Sequence, residues 1–425
     1  MKLLRTRGRG AAQAAAALAS LEARGSASLA AVEPAVRRIV TAVRRQGDRA
    51  LLRFAAEFDG LPGPGALRVE PDEMAAAWNT TDGRLRDALT TAAAQIRGFA
   101  VGQLPASWSS TPIEGLVTGQ LVRALGSVGC YVPSGRHPLP STLLMTAIPA
   151  QVAGVARIVV VSPKPASETL AAAHLLGITE FYRVGGAHAI AALAYGTQSI
   201  PRVEKIAGPG NLYVTAAKRL VAFDCAIDML AGPTEIVVTS DAGRAQDIAD
   251  DLIAQAEHDP EALPIFITTR EDLARSVLAE AKQRAKNNPV ARQALESNGI
   301  VFVASSAEEA HTLTNRIAPE HLTIDTARDL DWVQNAGSVF IGSWSPQPMG
   351  DYISGPNHTL PTGGLARVRG GLSVNDFTKL ITVQQYSAQT LRALGPKAAL
   401  LADAEGLTGH AVAIRNRLGR RNAHA

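Results

Sequence analysis

The sequence contains few aromatic residues and few cysteines. Aromatic side chains make up 4% of its 425 residues, so a hydrophobic core must be built mainly from Ala, Val, Leu and Ile. Two cysteines, Cys130 and Cys225, are too few for a disulfide framework or a Cys-rich zinc module. We expect both to be buried, unreactive thiols in a reducing, cytoplasmic protein. No apolar stretch of about 18 residues is present, so no membrane span is predicted.

Net charge is also low. Lys and Arg total 42 and Asp and Glu total 38, which leaves +4 and no basic stripe of the kind that nucleic-acid binding needs. Hydrophobic residues make up 46% and charged residues 19%, a composition that excludes general disorder. At roughly 150 residues per domain the chain is long enough for two or three domains.

Helical spacing of apolar residues marks the N-terminal part of the chain. The basic, Ala-rich start has some features of a targeting segment, but its interrupted Ala run favours an N-terminal helical arm over residues 1–30. Val36, Ile39 and Val43 recur at helical spacing within a predicted helix over 30–60. A further helix is predicted over 71–100, and the end of the chain, 371–425, is predicted to be helical.

From Gly126 onward, β-branched strands alternate with Ala-rich helices. A first group of strands is predicted at VARIVVV, FYRVGG and VEKIAGPGN. Helices are predicted between them, at SETLAAAHLLG and AHAIAALAYGT. After Ala231-Gly232-Pro233 a second rhythm follows, with the strands TEIVVTS, LPIFITT, IVFVAS, HLTID and SVFIG. Alternation of this kind predicts an α/β protein with parallel sheets and helices on their faces.

Two clusters carry possible metal ligands. Gln255 and His258 are three residues apart and therefore share a helix face, although a solvated helix end is the more common explanation for such a pair. Gly350–His358 contains two glycines and a proline, so a shaped loop is predicted there. Asp351 and His358 are its possible ligands or proton carriers, and ordinary turn chemistry is the competing explanation.

Further clusters point to acid–base chemistry and to a ligand site beside the backbone. Glu320 and His321 adjoin at the head of a predicted strand, where Pro319 permits a turn that would bring both into one pocket. Taken alone, His321 is more simply a structural residue. Glycines follow three predicted strands, in YVPSG with Gly135, at 185–186 and at 208–210, where they permit close approach of a ligand or serve only as tight turns. His410, taken alone, reads as a surface residue.

Together and in this order, these segments resemble the histidinol dehydrogenase family. The matching segments are GCYVPSGRHPLPSTLLMTAIPAQVAGV, VGGAHAIAALAYGT, KIAGPGNLYV, AGPTEIVV, DLIAQAEHDP, IAPEHL, GDYISGPNHTLPTGG and EGLTGH. They cover nearly the whole chain and are densest from 126 to 380.

The resemblance implies the oxidation of L-histidinol to L-histidine through an aldehyde, with one zinc ion per subunit and two NAD per turnover. Its implied zinc ligands are Gln255, His258, Asp351 and His410, and its catalytic acid/base pair is Glu320 and His321. Implied substrate contacts are Thr234, Gln255, His258, His321, Asp351, His358, Glu405 and His410. Implied NAD contacts are Tyr131, His188 and Asn211.

The family fold implies two incomplete Rossmann-like domains with parallel sheets, and a helical C-terminal arm exchanged between the subunits of a homodimer. On this basis 31–125 and 234–370 are assigned to a first α/β domain with the catalytic and metal residues. Residues 126–233 are assigned to an inserted second α/β domain on the NAD side, and 371–425 to the C-terminal extension, which would give His410 and Glu405 to the partner's site.

Three departures from the family pattern leave alternatives open. His188 stands where the family commonly has Gln, Thr234 where it has Ser, and Ser134 where it has Gly. A paralogous zinc/NAD dehydrogenase for another small polar alcohol, such as a sulfonated diol, is the alternative function. A metal-bound scaffold protein without turnover is a third hypothesis, which the Glu320–His321 pair disfavours.

Overall fold

The computed structural model describes residues 1–24, 29–134 and 138–419. Gly135 of the predicted glycine turn lies outside these ranges. Two compact units make up the chain: the first consists of Met1–Gln103 and Leu125–Phe377, and the second of Leu104–Ala124 and Thr378–Ala425. Within the described ranges, no helix has both the length and the apolar character needed to cross a membrane. Cys130 and Cys225 are both buried and free, as predicted.

Strands are numbered along the chain. They are β1 Lys2–Arg5, β2 Arg68–Val69, β3 Trp108–Ile113, β4 Leu116–Ala124, β5 Ser127–Tyr131, β6 Arg157–Val161, β7 Glu180–Tyr182, β8 Lys205–Ala207, β9 Ala226–Ile227, β10 Glu235–Thr239, β11 Leu263–Thr268, β12 Ile300–Val303, β13 His321–Ile324, β14 Ser338–Ile341 and β15 Thr378–Tyr386.

Helices are numbered in the same way. They are α1 Ala11–Glu22, α2 Leu29–Gln46, α3 Asp48–Phe54, α4 Pro71–Thr80, α5 Gly83–Gly102, α6 Pro140–Ala153, α7 Ser167–Leu175, α8 Gly186–Tyr195, α9 Leu212–Val221, α10 Ala245–Ala256, α11 Glu271–Arg284, α12 Pro289–Ser297, α13 Ala307–Ile317, α14 Pro348–Tyr352, α15 Ala388–Ala404 and α16 Thr408–Leu418.

Two sheets of the same design form the first unit. In the described part of the chain, sheet A has the order β1-β12-β11-β10-β13-β14 and sheet B the order β2-β7-β6-β5-β8-β9. When the last five strands of each sheet are numbered one to five along the chain, both sheets have the order 3-2-1-4-5. This is the Rossmann order 3-2-1-4-5-6 without its sixth strand. An extra edge strand is added beside the third, parallel in sheet A and antiparallel in sheet B. The predicted α/β class with two incomplete Rossmann-like sheets is therefore confirmed.

Apolar strands and helices bury these sheets on both faces. The β10 sequence EIVVT is buried at every position, because parallel strands covered by helices expose neither side. Helices α10, α11 and α12 cover one face of sheet A, and α1 and α13 cover the other. Sheet B packs against α2, α8 and α9 on one face and against α5, α6 and α7 on the other.

The helices between residues 29 and 102 correct one predicted grouping. The sequence assigned 31–125 to the same domain as 234–370, but Val36 and Val43 of α2 pack in the core of sheet B with Val159 and Val161. Strand β2 also pairs with β7 of sheet B. Contacts between segments that are distant in sequence place α2 and β2 with sheet B, and the order of the segments along the chain does not reveal such contacts. The domain boundaries themselves remain a prediction.

Both ends of the chain contain strands where only helix was predicted. Within the N-terminal arm, β1 pairs with Ile300–Val303, and α1 follows it as expected. The C-terminal extension begins with β15, a strand that pairs antiparallel with all of β4, before α15 and α16. A third difference is local, because α14 makes a short helix at the start of the predicted 350–358 loop.

The second unit is a small sheet with two helices. Its strand order is β15-β4-β3 within the described residues, and all its pairings are antiparallel. Strand β3 is exposed throughout, and β15 is exposed at every position after the first. Helices α15 and α16 bury Ala399, Ala402 and Ala411 between them.

Candidate active site

Most of the predicted site residues line one cavity of about 220 Å³ in the first unit. These residues are Thr234, Gln255, His258, Glu320, His321, Asp351 and His358. Strands β10 and β13 of sheet A contribute residues from their amino ends, whereas β8 and β9 of sheet B contribute residues that follow their carboxyl ends. The cavity therefore lies where opposite edges of the two sheets face the same space.

A left-handed turn brings Glu320 and His321 into the cavity together. Helix α13 ends at Ile317, and Ala318 adopts a φ of 51°, the only positive φ at a non-glycine position among the described residues. Successive residues of a regular strand would point to opposite faces, but this turn lies directly before β13. Glu320 Oε2 and His321 Nδ1 are 3.6 Å apart, and both side chains are buried.

Two donors hold the Glu320 carboxylate in place. Its Oε2 accepts hydrogen bonds from the Thr234 hydroxyl at 2.6 Å and from the Glu235 N–H at 2.8 Å. Charge-assisted bonds of this kind are stronger than bonds between neutral groups. Because both bonds engage Oε2, the carboxylate has a fixed orientation at the cavity wall.

The His321 ring is oriented by a backbone carbonyl. Nδ1 lies 3.2 Å from the Glu235 carbonyl oxygen, which can only accept, so Nδ1 carries a proton in both the neutral and the charged ring. Nε2 lies 3.7 Å from Asp351 Oδ1 and has no hydrogen-bond partner among the described residues. Burial lowers the pKa of His321, but the Glu320 and Asp351 carboxylates outweigh it and raise the pKa to about 10.

Gln255 and Asp351 present oxygen atoms to the same cavity. Gln255 at the end of α10 is 1% exposed, its Nε2 donates to the Thr234 hydroxyl, and its Oε1 lacks a partner in the described part of the chain. Asp351 on α14 accepts a bond from Gln347 Nε2 at 3.0 Å. His258 follows α10 on the cavity wall and is exposed.

His358 is held as a neutral ring on the far side of Asp351. Its Nδ1 donates to the Asp351 carbonyl oxygen at 2.8 Å, so Nε2 accepts from the Thr142 hydroxyl at 3.3 Å. Burial lowers the pKa of His358. A residue with both ring nitrogens engaged in this way shapes the cavity rather than donating charge to it.

These donors fit a divalent ion in part. Gln255 supplies a buried oxygen that lacks a partner, Asp351 a carboxylate and His258 an imidazole, a nitrogen and oxygen set of the kind that zinc accepts. The described residues contain no group of three or more His, Cys, Asp and Glu side chains spaced for a metal. Of the three donors named above, only Asp351 and His258 belong to these residue types, because Gln is not counted among them.

Two other predicted residues, Glu405 and His410, lie in the second unit. Glu405 follows α15 and His410 lies in α16, and both are exposed. All the described residues that line the cavity belong to the first unit. Seven predicted residues therefore line this cavity, and Glu405 and His410 are not among its lining residues.

The predicted NAD contacts lie at the carboxyl end of sheet B, and each has a partner within the protein. The Tyr131 hydroxyl accepts from the Gly186 N–H at 3.1 Å, and burial raises the pKa of this tyrosine to about 12. His188 is 1% exposed, and its Nε2 lies 2.7 Å from Asp59 Oδ2. Asn211 is exposed and caps α9 by accepting from two backbone N–H groups.

Strand β8 ends in a turn whose backbone packs directly against the end of β5. Gly208 has a φ of 117°, and a Cβ there would collide with the Tyr131 carbonyl oxygen. A buried ion pair holds this turn, because Lys218 donates to the Gly208 carbonyl at 2.7 Å and Asp228 accepts the Gly208 N–H at 2.8 Å. Order 3-2-1-4-5 and a glycine turn of this kind suit a dinucleotide.

Sequence reasoning missed five polar residues that support this site. They are Asp59, Lys218, Asp228, Glu235 and Gln347, and all are buried. Charged residues are rarely buried without a partner. A Glu at the head of the apolar strand TEIVVTS was the one signal in the sequence that could have revealed a buried charge.

Comparison with known proteins assigns the chain to a family. The family model described as "Histidinol dehydrogenase" matches residues 22–418. The chain belongs to the histidinol dehydrogenase family. A relative from Thermus thermophilus, named histidinol dehydrogenase, is 48% identical over 388 residues, which cover 89% of this chain and 93% of that protein. One from Syntrophotalea carbinolica with the same name is 44% identical over 415 residues, covering 95% and 96%.

A solved structure agrees with this assignment. The crystal structure of histidinol dehydrogenase from Elizabethkingia anophelis superposes with a TM-score of 0.92 at 34% sequence identity, covering 98% of both chains. Membership of the histidinol dehydrogenase family confirms the predicted enzyme class, an oxidoreductase.

Proposed function

We propose that this protein catalyses the zinc-dependent, NAD-linked, four-electron oxidation of L-histidinol to L-histidine through an aldehyde, in histidine biosynthesis and in the cytoplasm. One observation carries the proposal: a buried carboxylate–imidazole pair, Glu320 and His321, shares a cavity with the donor atoms of Gln255, His258 and Asp351. An acid/base pair beside a metal-type donor set is what an alcohol oxidation followed by hydration requires.

In the first oxidation His321 is the base. Its Nδ1–H is engaged by the Glu235 carbonyl, so Nε2 is the nitrogen that takes the hydroxyl proton as hydride leaves the substrate carbon. When bound, zinc would offset the Asp351 charge that helps to raise the pKa of His321 and would orient the alcohol, and NAD would accept a hydride at each oxidation.

In the second oxidation Glu320 is the base. Its Oε2 is occupied by Thr234 and Glu235, so Oε1 takes a proton from the water that adds to the aldehyde. The hydrated aldehyde, left as an oxyanion, then loses the second hydride, which NAD would accept. The resulting carboxylic acid releases its proton to solvent and becomes the product carboxylate. Two nearby bases with different partners thus serve two successive proton transfers.

Charge in the cavity favours an amino alcohol over a sulfonated one. Glu320 and Asp351 are both carboxylates of the cavity wall, and Asp228 on the same wall is already paired with Lys218. With zinc offsetting Asp351, the Glu320 carboxylate remains to attract a protonated amine and to repel a sulfonate. This contrast supports L-histidinol over the sulfonated diol of the alternative function.

The test is NADH production with L-histidinol, before chelation, after it and after zinc is restored. We expect turnover that falls on chelation and returns with zinc, and little turnover of sulfonated diols. A zinc-loaded protein that leaves L-histidinol unchanged, or that prefers a sulfonated diol, would falsify the proposal.

Partial reactions test the two residue assignments. Glu320→Gln should still convert L-histidinol to the aldehyde but oxidise supplied aldehyde at least about 100-fold more slowly, because general bases contribute on this scale. His321→Ala should lose the first step. His311→Ala is the matched control, since His311 stacks on Trp332 at 4.3 Å and lies outside the cavity lining.

We further propose that the protein is a homodimer in which the second unit completes the partner's site. Its sheet exposes Trp108, Leu380, Ile381 and Tyr386, each at 45% or more. Exposed apolar residues on a paired strand favour burial against another chain. In that assembly His410 would be the fourth zinc ligand and Glu405 a substrate contact.

A further inference from the structure

The end of the N-terminal arm contacts Glu235, the residue that supports the catalytic pair. Helix α1 packs on sheet A through Ala14, Leu18 and Leu21, and Arg24 follows it. The Arg24 side chain is only 15% exposed. Its guanidinium donates to the backbone carbonyls of Leu21 and Ile317, which fixes it between the end of α1 and the end of α13.

Arg24 and Glu235 form a bidentate ion pair. Nε lies 2.7 Å from Oε1 and NH2 lies 2.7 Å from Oε2. The Glu235 side chain is 4% exposed, and its Oε1 also accepts the Gly363 N–H at 2.8 Å. Burial raises the pKa of Glu235, and Arg24 opposes that rise. A carboxylate this deep needs such a partner, because an uncompensated buried charge is strongly unfavourable.

The backbone of Glu235 contacts both catalytic residues. Its N–H donates to Glu320 Oε2 at 2.8 Å, and its carbonyl oxygen accepts from His321 Nδ1 at 3.2 Å. Together with the Thr234 hydroxyl, the Glu235 N–H sets the orientation of the Glu320 carboxylate. The Glu235 carbonyl engages Nδ1 of His321, so Nε2 is the ring nitrogen without a partner among the described residues. The Glu235 side chain is held by Arg24 from the opposite side.

We propose that Arg24 and Glu235 are positioning residues for the acid/base pair, an inference that rests on the proposed function. Neither residue lines the cavity near the reacting atoms through its own side chain. Arg24 holds the Glu235 side chain, and the Glu235 backbone holds Glu320 and His321. Without Arg24 the Glu235 carboxylate is uncompensated beside Glu320, and the backbone that carries it moves or the carboxylate takes up a proton.

The test separates loss of positioning from loss of folding. Arg24→Met should lower kcat for L-histidinol by about 10- to 100-fold, with the KM for NAD changed less than twofold, because a small displacement of catalytic groups acts on the chemical step. Arg24→Lys keeps the charge and should recover part of the loss. The double variant Arg24→Met/Glu235→Gln removes the uncompensated charge and keeps an acceptor for Gly363, so its kcat should exceed that of Arg24→Met several-fold.

A matched control removes another arginine that also holds the arm. Arg316 pairs with Glu22 of α1 at 2.8 Å, and both are partly exposed. Arg316→Met should keep kcat within twofold. Circular dichroism melts and zinc content accompany each variant, and if Arg24→Met does not fold, the Arg24→Lys and double variants decide the question.

The possible outcomes are distinct. A folded Arg24→Met protein with the wild-type kcat would overturn the inference, and so would a double variant no better than the single one. An inactive, zinc-loaded wild type would instead overturn the proposed function. An active wild type, a Glu320→Gln variant that fails to oxidise the aldehyde and an unaffected Arg24→Met variant would together reject only the positioning pair.

Discussion

Thr234 determines which end of the Gln255 amide faces the cavity. The Thr234 hydroxyl has one proton, which it donates to the Glu320 carboxylate, so it can only accept from Gln255 Nε2. Gln255 must therefore turn its carbonyl oxygen Oε1 towards the cavity, and Oε1 is the amide atom that would bind the proposed zinc ion. A single hydroxyl thus connects the proposed acid/base pair to the metal-type donors, and either Ser or Thr can supply it.

Replacing that hydroxyl by a methyl group should weaken both functions. In Thr234→Val, Gln255 Nε2 and Glu320 Oε2 each lose a partner, at a cost of about 1–3 kcal/mol for a buried polar group. We expect zinc affinity, measured by competition with a chelator, to fall about 10- to 100-fold, and kcat to fall as well. Thr234→Ser keeps the hydroxyl and should stay near the wild type. Unchanged zinc affinity in the Val variant would contradict this account.

Asp251 on α10 makes stability depend on pH. Its pKa is raised from 3.8 to about 6, because burial raises it most and the charges of Asp247 and Asp250 raise it further, although the Gln347 N–H lowers it. A carboxyl with a raised pKa in the folded state favours folding fully below the unfolded pKa, and that contribution is lost as pH rises from about 4 through 6. At pH 7 the loss approaches about 3 kcal/mol as an upper bound.

Asp251→Asn should therefore be more stable than the wild type near neutral pH. Asn keeps an acceptor for the Gln347 N–H and removes the charge, so the gain should shrink towards zero below about pH 4. Urea unfolding at a series of pH values measures it. Asp272→Asn is the control, because Asp272 forms an ion pair with Arg270 at the surface and is not among the groups that shift the pKa of Asp251. A variant less stable than the wild type at neutral pH would reject this reading.

At the scale of elements, local pattern predicted the strands and helices that are buried. Strands such as β6 and β11 are largely continuous apolar runs, so a few neighbouring residues are enough to predict them as buried strands. Strands β1 and β15 are edge strands with polar or mixed sequences, and they become strands because Ile300–Val303 and Leu116–Ala124 pair with them. Such pairing partners are distant in sequence, so local pattern cannot reveal them.

The site was predicted by resemblance rather than by spacing. Thr234, Glu320 and Asp351 are separated by long stretches of chain, and each motif alone had an ordinary structural explanation. The supporting residues Arg24, Glu235 and Gln347 carry no motif. Their positions follow from where α1 and α14 pack, which is a tertiary property.

The β8–α9 turn gives a prediction at this scale. Gly208→Ala adds a Cβ that collides with the Tyr131 carbonyl oxygen, at a φ of 117° that L side chains rarely adopt. The turn and the Lys218–Asp228 pair beneath it must shift, so we expect lower thermal stability and at least about a tenfold rise in the KM for NAD, whereas the KM for L-histidinol changes less. Gly65→Ala, which has open space for a Cβ, should leave both KM values unchanged.

For the whole molecule, the two sheets use opposite edges. Sheet B supplies its carboxyl edge, where open α/β sheets bind ligands. Sheet A supplies its amino edge, and its own carboxyl edge is filled by Asp241 and Asp325, whose carboxylates accept from Ser240, Thr268 and Thr269. One sheet therefore holds the proposed cofactor side, and the other carries the proposed acid/base pair.

The exposed second unit leads to the last prediction, which concerns assembly. If His410 belongs to the partner's site, Gln255→Ala and His410→Ala chains are each inactive alone but complement one another. Random mixing makes half of the dimers mixed, and each of these has one intact site, so about a quarter of wild-type activity should return. Mixing Gln255→Ala with Glu320→Gln should restore none, because both defects lie in the first unit. Mixed dimers of the first pair that form but stay inactive would show that each arm serves its own chain.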